Sequence, residues 1–234
     1  DEQRVAVEAV ATATGYSPFL LFGVTGSGKT EVYLHVMERI LARDPEAQVL
    51  LLVPEINLTP QLEGRVRKRF PGEHVVTLNS DLADMERARS WLAVHEGRAR
   101  VLVGTRMSVF ASFRKLALVI VDEEHDQSFK AGDGLRYSAR DLAVWRAHRN
   151  DIPVVLGSAT PSIESWVKAQ SGGYRLLELR QRAVQNAQLP AIELIDPPKR
   201  GAGEALSDEA CTAMNRCLEE GRQVLVFLNR RGYS

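Results

Sequence analysis

The stretch GVTGSGKT at residues 23–30 decides the fold. It fits the phosphate-loop pattern GxxxxGK[ST], it follows the apolar run FLLF at 19–22, and it precedes an amphipathic helical pattern. The glycines let successive backbone N–H groups turn toward an anion, and the positive end of the following helix lies at the same place. A plain glycine turn is the alternative. The four fixed positions and both flanks favour a strand, a phosphate-binding loop and a helix.

We expect this loop to bind a nucleotide through its backbone and two of its side chains. Lys29 is expected to hold the β and γ phosphates, and the Thr30 hydroxyl is expected to ligate the Mg²⁺ ion that bridges them. The other expected nucleotide contacts belong to the loop itself; they are Gly23, Thr25, Gly26, Ser27 and Gly28.

The composition is that of a globular enzyme. The 234 residues are 44% hydrophobic and 26% charged, with 30 basic and 30 acidic residues, which excludes a disordered chain. We find no apolar run near the ~18 residues of a membrane helix and no signal peptide, so we expect a cytoplasmic protein. A neutral total still allows a basic nucleic-acid groove. The basic cluster at 65–69 belongs to such a groove or to a solvated helix face.

Strand and helix patterns alternate along the chain. Continuous apolar runs at 49–53 and 116–121 are typical of parallel strands buried on both faces. Shorter strand patterns lie at 75–78, 101–103 and 154–156, and helical patterns lie at 1–14, from 31 to the stop at Asp44-Pro45, and at 59–70, 84–96, 138–149 and 161–170. This alternation predicts an α/β fold, a parallel sheet flanked by helices on both faces, with its ligand at the carboxyl ends of the strands.

The pattern changes near residue 183. Residues 180–190 have no clear period, and short strand patterns at 191–195 and 224–228 then enclose a helical pattern at 207–220. Two strands and one helix are too little for a separate core. We therefore predict one domain over 1–183, followed by a linker and the incomplete beginning of a second α/β domain over 184–234. We also expect the chain to be a piece of a longer protein.

The second decisive element is LVIVDEEHD at 118–126. A nucleotide hydrolase needs acidic side chains opposite its phosphate loop, and an apolar strand that ends in Asp-Glu supplies them. Asp122 is predicted to hold Mg²⁺, and Glu123 is predicted to orient and polarise the attacking water. Capping of a following helix is the alternative role for both. His125 either links the nucleotide site to a neighbouring loop or is a satisfied polar residue at a strand end.

The candidate partner of His125 is the stretch GSATP at 157–161, which follows another buried strand. Ser158 and Thr160 offer two hydroxyls there and are predicted to couple the nucleotide site to the rest of the domain. The alternative is that either hydroxyl caps the helix opened by Pro161.

In this order, GxxxxGKT, DEEH and SAT resemble the first RecA-like lobe of superfamily-two helicases. Further stretches narrow the resemblance to the PriA family of bacterial replication-restart helicases. They are GVTGSGKTEVY (23–33), VPEINLTPQ (53–61), GTRMSVF (104–110), VDEEHDQSFK (121–130), RYSARDLAV (136–144), LGSATPS (156–162) and FLNRRGYS (227–234). The resemblance covers nearly the whole chain, and it implies that 184–234 begins a second RecA-like lobe.

The resemblance implies an ATP-dependent 3′ to 5′ DNA helicase that acts at stalled forks and restarts replication through primosome assembly. Its cofactors would be ATP and Mg²⁺, and its partners would be forked and single-stranded DNA, single-stranded-DNA-binding protein and primosome loading proteins. The family's fork-binding domains would precede Asp1. Its zinc-binding cysteines and second-lobe arginines would follow Ser234, so we expect this piece alone to hydrolyse ATP slowly or not at all.

The resemblance also implies contacts for the adenine and for DNA. Gln3 matches the glutamine that reads adenine in the family, although it is alternatively an ordinary exposed side chain. The expected contacts with the DNA backbone are Thr59, Thr105 and Arg106. The stretch 127–140 resembles the loop that couples DNA occupancy to hydrolysis. In it Phe129 and Tyr137 are expected to stack on bases, and Lys130, Arg136 and Arg140 to meet phosphates; for Tyr137, core packing is the alternative.

Three residues depart from the family pattern. Ser138 and Asn79 stand where histidine is common, and Leu135 stands where some relatives carry tryptophan, which bears on how strongly DNA stimulates hydrolysis. Other functions are weighed against the same motifs. A small-molecule kinase has no reason to carry DEEHD followed by SAT, and a DNA-binding scaffold with an idle nucleotide site is expected to have lost Lys29 or the acidic pair. A related translocase on duplex DNA or RNA remains open.

Overall fold

The computed structural model describes residues 2–132, 134–182, 192–195 and 206–227. The chain divides into two compact units, Asp1–Asn186 and Ala187–Ser234. The candidate site lies in the first unit, so most of the fold that matters for function is there.

A seven-stranded sheet forms the centre of the first unit. Its strands are β1 (Ser17–Gly23), β2 (Gln48–Leu52), β3 (Val75–Leu78), β4 (Val101–Gly104), β5 (Leu116–Asp122), β6 (Pro153–Ser158) and β7 (Arg175–Leu179). The spatial order is β3-β4-β2-β5-β6-β1-β7, and all neighbouring strands run parallel. The predicted α/β fold with a parallel sheet is confirmed.

Six helices pack on the two faces of this sheet. They are α1 (Glu2–Ala11), α2 (Lys29–Arg43), α3 (Pro60–Arg69), α4 (Asp84–His95), α5 (Ala139–Arg149) and α6 (Ile163–Gln170). Apolar residues of α1, α2 and α3 join one core cluster. Residues of α4 and α5, with the partly buried Ala169 of α6, join the cluster on the other face.

The strands show why both faces need cover. Successive side chains of a strand point to opposite faces, and both sets are apolar here. In β1, Leu21 belongs to the first cluster and Leu20 to the second, and both are 0% exposed. In β2, Leu51 and Leu50 divide in the same way. Continuous apolar runs in the sequence therefore become strands buried on both faces.

The strand β7 was absent from the predicted pattern. Its sequence, RLLEL, carries two charged residues and is not a continuous apolar run. It lies at the end of the sheet order and pairs with β1. An edge strand can leave part of one face in water, so its sequence lacks the signal that identified the central strands.

The second unit is described over 192–195 and 206–227. Its helix α7 (Asp208–Glu219) matches the predicted helix at 207–220, and the Ser207 hydroxyl caps it by accepting from the Ala210 N–H at 3.2 Å. The strands predicted at 191–195 and 224–228 are wrong over their described residues, 192–195 and 224–227, which have no regular structure. A strand needs a paired neighbour for its backbone hydrogen bonds. The described part of this unit contains no such neighbour.

Residues 191 and 228 lie outside the described residues, as do Ser234 and the predicted domain limit at 183/184. Within the described parts of both units, no helix is long and apolar enough to cross a membrane.

Candidate functional site

Three neighbouring strands bring the predicted nucleotide residues together. The phosphate loop leaves the carboxyl end of β1, Asp122 ends β5, and Ser158 ends β6. The sheet order places β6 between β5 and β1. Because the strands are parallel, the loops that follow them meet at one edge of the sheet, where α/β proteins bind their ligands.

The phosphate loop depends on glycine at specific positions. Gly26 and Gly28 have φ angles of 79° and 86°, in the left-handed region that glycine adopts without steric cost. Gly28 is also the residue before α2, so the first N–H groups of that helix face the loop. At Gly23 a Cβ atom would lie 2.5 Å from the Ser27 hydroxyl oxygen, so a larger residue would push the loop apart.

Lys29 lies between the phosphate loop and the acidic residues that follow β5. Its ammonium group donates to the Gly23 carbonyl oxygen at 3.1 Å, and it is 3.4 Å from a carboxylate oxygen of Glu123. A cavity of about 390 Å³ is lined by residues 24–31, Asp122 and Glu123, together with Arg65. The predicted phosphate-binding and acidic residues therefore share one cavity.

The residues of this cavity fit a magnesium nucleotide. Thr30 and Asp122 both line it and supply hydroxyl and carboxylate oxygens, the ligands that Mg²⁺ prefers. The buried Ser27 hydroxyl has no hydrogen-bond partner within the described residues. Buried polar groups are rarely left unpaired, so this hydroxyl is suited to an oxygen-rich ligand such as a phosphate.

Tyr33 positions Asp122, which the sequence did not reveal. The Tyr33 hydroxyl is in the buried interior and donates to Asp122 Oδ1 at 2.9 Å. Burial, followed by the charge of Asp122, raises the pKa of Tyr33 well above its usual value, so the phenol keeps its proton and remains a donor. The pKa of Asp122 is itself raised, first by burial and then by the charge of Glu123.

Gly157 of β6 makes room for that hydrogen bond. A Cβ atom at this position would collide with the Tyr33 hydroxyl. In the sequence Tyr33 reads as one member of the apolar stripe of α2. The available signal was that a buried tyrosine hydroxyl normally has a hydrogen-bond partner.

Glu123 has an unusual backbone conformation. Its φ angle is 47°, in the left-handed region that is strained for residues other than glycine and is found at functional sites. The turn is closed by two hydrogen bonds, from the Asp126 N–H to the Glu123 carbonyl at 2.8 Å and from the Glu124 N–H to the Gly157 carbonyl at 3.0 Å. As a result the carboxylates of Glu123 and Glu124 meet different partners.

Glu124 is buried and joins three segments of the first unit. Its carboxylate accepts from the Ser162 N–H at 2.6 Å, the Ser165 hydroxyl at 2.9 Å and the Arg140 guanidinium at 3.2 Å. The acidic turn, the start of α5 and the start of α6 are tied together in this way. Glu124 cannot be identified from the sequence, because two neighbouring glutamates are indistinguishable there.

His125 connects the acidic turn to the loop after β6. Its Nδ1 shares a hydrogen bond with the Ser158 hydroxyl at 2.7 Å, and its Nε2 lies 3.4 Å from the Thr160 hydroxyl. The same Nδ1 is 3.7 Å from a Glu123 carboxylate oxygen. The alternative role of Ser158 and Thr160 as helix caps is wrong, since the Ser162 hydroxyl caps α6 by accepting from the Ser165 N–H at 3.3 Å.

Gln3 lies beside the phosphate loop. Its amide nitrogen donates to the Ser27 carbonyl oxygen at 2.7 Å. The helix α1 that carries it packs against α2, which explains how a residue 24 positions from Ser27 reaches the loop. Its carbonyl oxygen remains able to accept a hydrogen bond.

The residues predicted to contact the DNA backbone follow β2 and β4. Thr59 caps α3, accepting from the Leu62 N–H at 3.3 Å. Thr105 follows β4 and is 3% exposed, so its predicted contact with the DNA backbone needs correction: the side chain is buried and is not available to a phosphate. Arg106 opens the 3₁₀ turn Arg106–Phe110 and donates to the carbonyl oxygens of Ser128 and Lys130 at 3.2 and 3.1 Å. The end of β4 is thereby fastened to the loop that follows β5.

Two predictions for the stretch 127–140 need correction. Phe129 is 1% exposed and packs in the second core cluster, so neither face of its ring is free for a base. Arg140 is 8% exposed and is held in the ion pair with Glu124, so its guanidinium is not available to a phosphate. Both side chains support the loop from inside.

The other predicted residues of this stretch lie at the surface. Lys130 and Arg136 are exposed. Tyr137 is partly exposed; its ring packs edge-on against Phe110 with centroids 5.0 Å apart, and its hydroxyl lies 3.0 Å from Met107 Sδ.

Of the three positions that depart from the family pattern, two have a structural role and one is exposed. Ser138 caps α5, accepting from the Asp141 N–H at 3.2 Å. Asn79 forms a turn after β3 by accepting from the N–H groups of Asp81 and Leu82. Leu135 is 75% exposed.

The basic cluster at 65–69 behaves as a solvated helix face. Three of its cations form ion pairs with acidic residues, Arg65–Glu31 at 2.8 Å, Arg67–Glu63 at 2.7 Å and Arg69–Glu38 at 2.7 Å. Exposed pairs of this kind contribute little stability.

Comparison with known families gives one match over most of the chain. The DEAD/DEAH box helicase family matches residues 2–168, which include the phosphate loop, the acidic turn and the loop after β6.

Individual relatives match along the whole chain. It is 42% identical to the replication restart protein PriA of Bacillus subtilis over 240 residues and 43% identical to that of Haemophilus influenzae over 233 residues, with 100% of this chain covered in both. The matched segments are 29% and 31% of those proteins. The chain thus spans about a third of the length of the curated relatives it matches.

Solved structures share the fold at low sequence identity. RecG bound to a three-way DNA junction has a TM-score of 0.57 at 22% identity, covering 80% of this chain and 24% of that one. The DEAD-box helicase Mss116 bound to single-stranded RNA has a TM-score of 0.56 at 17% identity, covering 76% and 39%. The first unit therefore shares the fold of the helicase domains in these structures.

Proposed function

The chain belongs to the DEAD/DEAH box helicase family, and from that premise we propose that it is the ATP-binding part of a 3′ to 5′ DNA helicase that restarts replication at stalled forks. The observation that carries the proposal is the shared cavity in which Lys29 lies 3.4 Å from Glu123, beside Asp122. The similarity to replication restart proteins over the whole chain supports the fork-directed role. Residues 1–183 would be the first lobe, and 184–234 a linker and the start of the second.

We assign the chemical roles from the geometry of the cavity. Thr30 and Asp122 would hold Mg²⁺, which neutralises phosphate charge when bound. The phosphate loop, with Gly23, Thr25, Gly26, Ser27 and Gly28, would hold the phosphates through its backbone, and Lys29 would hold the β and γ groups. Glu123 would orient the attacking water, and Gln3 would read the adenine.

His125 would transmit a change at the nucleotide site to the rest of the lobe. It lies 3.7 Å from Glu123 and hydrogen-bonds Ser158, so a shift of the acidic turn reaches the loop after β6. We propose Ser158 and Thr160 as the coupling residues on that loop. Thr59, Arg106, Lys130, Arg136 and Tyr137 remain the proposed DNA contacts, whereas Thr105 is buried like Phe129 and Arg140 and is no longer proposed as one.

Several parts of the proposal concern the longer protein. Zinc would be bound by residues outside this chain. Single-stranded-DNA-binding protein and primosome loading proteins would be its partners, and it would work in the cytoplasm. An arginine supplied by the second lobe is worth about 10³-fold or more in related phosphoryl-transfer sites. We therefore expect this chain alone to turn over ATP slowly or not at all.

The test is the ATPase rate of the longer parent protein, measured with and without forked DNA, next to Lys29→Ala and Glu123→Gln. We expect DNA-stimulated turnover in the wild type and a loss of at least about 10²-fold in both variants. Glu63→Gln, which changes a partly exposed glutamate of α3 outside the nucleotide cavity, is the matched control and should retain the rate. Fork binding without any turnover in the wild type would show a scaffold with an idle site.

The choice of nucleic acid is tested in the same assay. Forked DNA is compared with blunt duplex and with RNA of equal length. Stimulation by forks over the other two supports the fork-directed role, while equal or stronger stimulation by blunt duplex or RNA would identify a related translocase.

A further inference from the structure

A second cleft lies at the carboxyl ends of β3 and β4, away from the nucleotide cavity in the sheet order. Its volume is about 370 Å³. Its walls are mainly apolar and include Leu78, Trp91, Met107 and Phe110, with Asn79 and Arg106 among the polar residues. Small-molecule sites commonly have this size and this mixture of apolar walls with a few polar groups.

The apolar walls of this cleft are unusually open to water. Met107 is 60% exposed and Phe110 is 42% exposed, and Trp91 is only partly buried. Tyr137 braces the same wall, with its ring against Phe110 and its hydroxyl 3.0 Å from Met107 Sδ. Grouped apolar side chains at a surface mark binding sites, whereas scattered ones do not.

Of the two arginines that line the cleft, Arg106 alone has no carboxylate partner among the described residues, so it is the cation suited to an anionic ligand. Arg87 and Arg106 line it against one carboxylate, that of Glu55. Arg87 already pairs with Asp84 on α4. The Nε of Arg106, however, is buried and has no hydrogen-bond partner within the described residues, although its Nη1 is bonded to two carbonyl oxygens.

A base with its phosphate combines a flat apolar face with negative charge, as this cleft requires. In duplex DNA the neighbouring base pairs cover both faces of a base, whereas in a single strand the faces are free to stack on aromatic side chains. Asn79 adds a polar group, since its carbonyl oxygen is used by the turn after β3 and its amide N–H groups remain as donors.

We propose that this cleft receives one unstacked base of single-stranded DNA, between Trp91, Met107 and Phe110, with Arg106 on the adjoining phosphate. This inference rests on the proposed function and adds to it a contact with a base. Apolar walls accept any base, so the contact would strengthen binding without selecting a sequence.

The test compares two DNA strands of equal length, one normal and one with abasic sugars throughout, in binding to the 234-residue chain by fluorescence anisotropy. Both strands carry the same phosphates, so their difference isolates the bases. We expect the wild type to bind the normal strand about tenfold more tightly, because stacking of one base on an aromatic side chain raises the affinity by about that factor. Phe110→Ala should reduce the preference to less than about threefold and leave the abasic affinity unchanged.

A matched control and a second variant distinguish loss of the base contact from misfolding of the Phe110→Ala variant. Trp145 is 60% exposed on α5 and does not line the cleft, so Trp145→Ala should keep the full preference. Met107→Ala, at a side chain that is also 60% exposed, should reduce it as Phe110→Ala does.

Other outcomes would overturn the inference. Equal binding of both strands by the wild type, or a preference that survives Phe110→Ala and Met107→Ala, would mean that something other than a base occupies the cleft, such as an apolar side chain of another protein. If either of these binding results is obtained while DNA-stimulated ATPase persists in the parent protein, the base contact alone fails and the proposed function stands. Absence of any binding of single-stranded DNA to the chain would overturn the base contact, whereas the ATPase assay in the parent protein decides the proposed function.

Discussion

The two clefts lie at the same edge of one sheet but are built differently. In the nucleotide cavity the polar groups are held in place: Tyr33 donates to Asp122, and Lys29 donates to Gly23. In the cleft beside β3 and β4 the walls are exposed, with Met107 60% open to water. Charge that develops during a reaction needs groups already fixed in position. A surface for a strand that must move gains more from apolar contact, which requires no fixed geometry.

The sharpest test of this contrast uses adjacent glutamates. Glu124→Gln should lower the free energy of unfolding by about 3 kcal/mol, because it removes one charge of a buried pair and leaves Arg140 without that partner. Glu123→Gln, at a side chain that is 27% exposed, should change stability by less than about 1 kcal/mol while it abolishes turnover. Urea unfolding measures both. Similar losses of stability for the two variants would mean that the Glu123 and Glu124 carboxylates contribute equally to the fold.

Gly157→Ala should be the next most costly change. The added methyl group collides with the Tyr33 hydroxyl, and overpacking of this kind costs about 2 kcal/mol. Gly132→Ala is the control, since no atom lies within 4 Å of the Cβ position there. Thermal unfolding of the two variants gives the comparison, and an unchanged midpoint for Gly157→Ala would contradict the packing described for Tyr33.

Tyr33→Phe tests the hydroxyl without changing the packing. We expect a loss of about 1 kcal/mol in unfolding free energy from the missing hydrogen bond. The Mg²⁺ concentration for half-maximal ATPase in the parent protein should rise about tenfold, as is usual when a residue that orients a metal ligand is lost. A purely structural role would lower stability and leave the Mg²⁺ dependence where it was.

Met107→Ala should have the smallest effect on stability. A side chain that is 60% exposed contributes little to the core, so we expect a change within about 0.5 kcal/mol. Its effect should appear instead in affinity for single-stranded DNA. A large loss of stability would show that the wall of this cleft belongs to the fold.

The sequence predicted the nucleotide cavity better than the cleft beside β3 and β4, and the reason is distance along the chain. The phosphate loop at 23–30 combines its backbone and side-chain contacts in eight consecutive residues, so a short pattern reveals them. The walls of the other cleft come from α4 and from the 3₁₀ turn after β4. Such combinations depend on the sheet order, which a local pattern does not contain.

Neighbouring residues with opposite roles were the harder problem. Glu123 and Glu124 are the same side chain in the sequence, and the left-handed backbone at Glu123 is what separates them. Phe129 lies between the exposed residues Gln127 and Lys130, yet the 3₁₀ turn Gln127–Phe129 directs its ring into the core. In each case a backbone turn decides which side of the protein a residue faces.

The place of β1 in the sheet has a consequence for synthesis on the ribosome. Its two partners, β6 and β7, follow it by more than about 130 positions, so the strand that carries the phosphate loop has no neighbour while most of the lobe is still being translated. At a translation speed of about 5–20 residues per second, this interval lasts roughly seven to thirty seconds. An apolar strand without a paired neighbour is prone to aggregate with other chains. The strand that carries the phosphate loop therefore cannot gain its second neighbour until Leu179 has emerged from the ribosome.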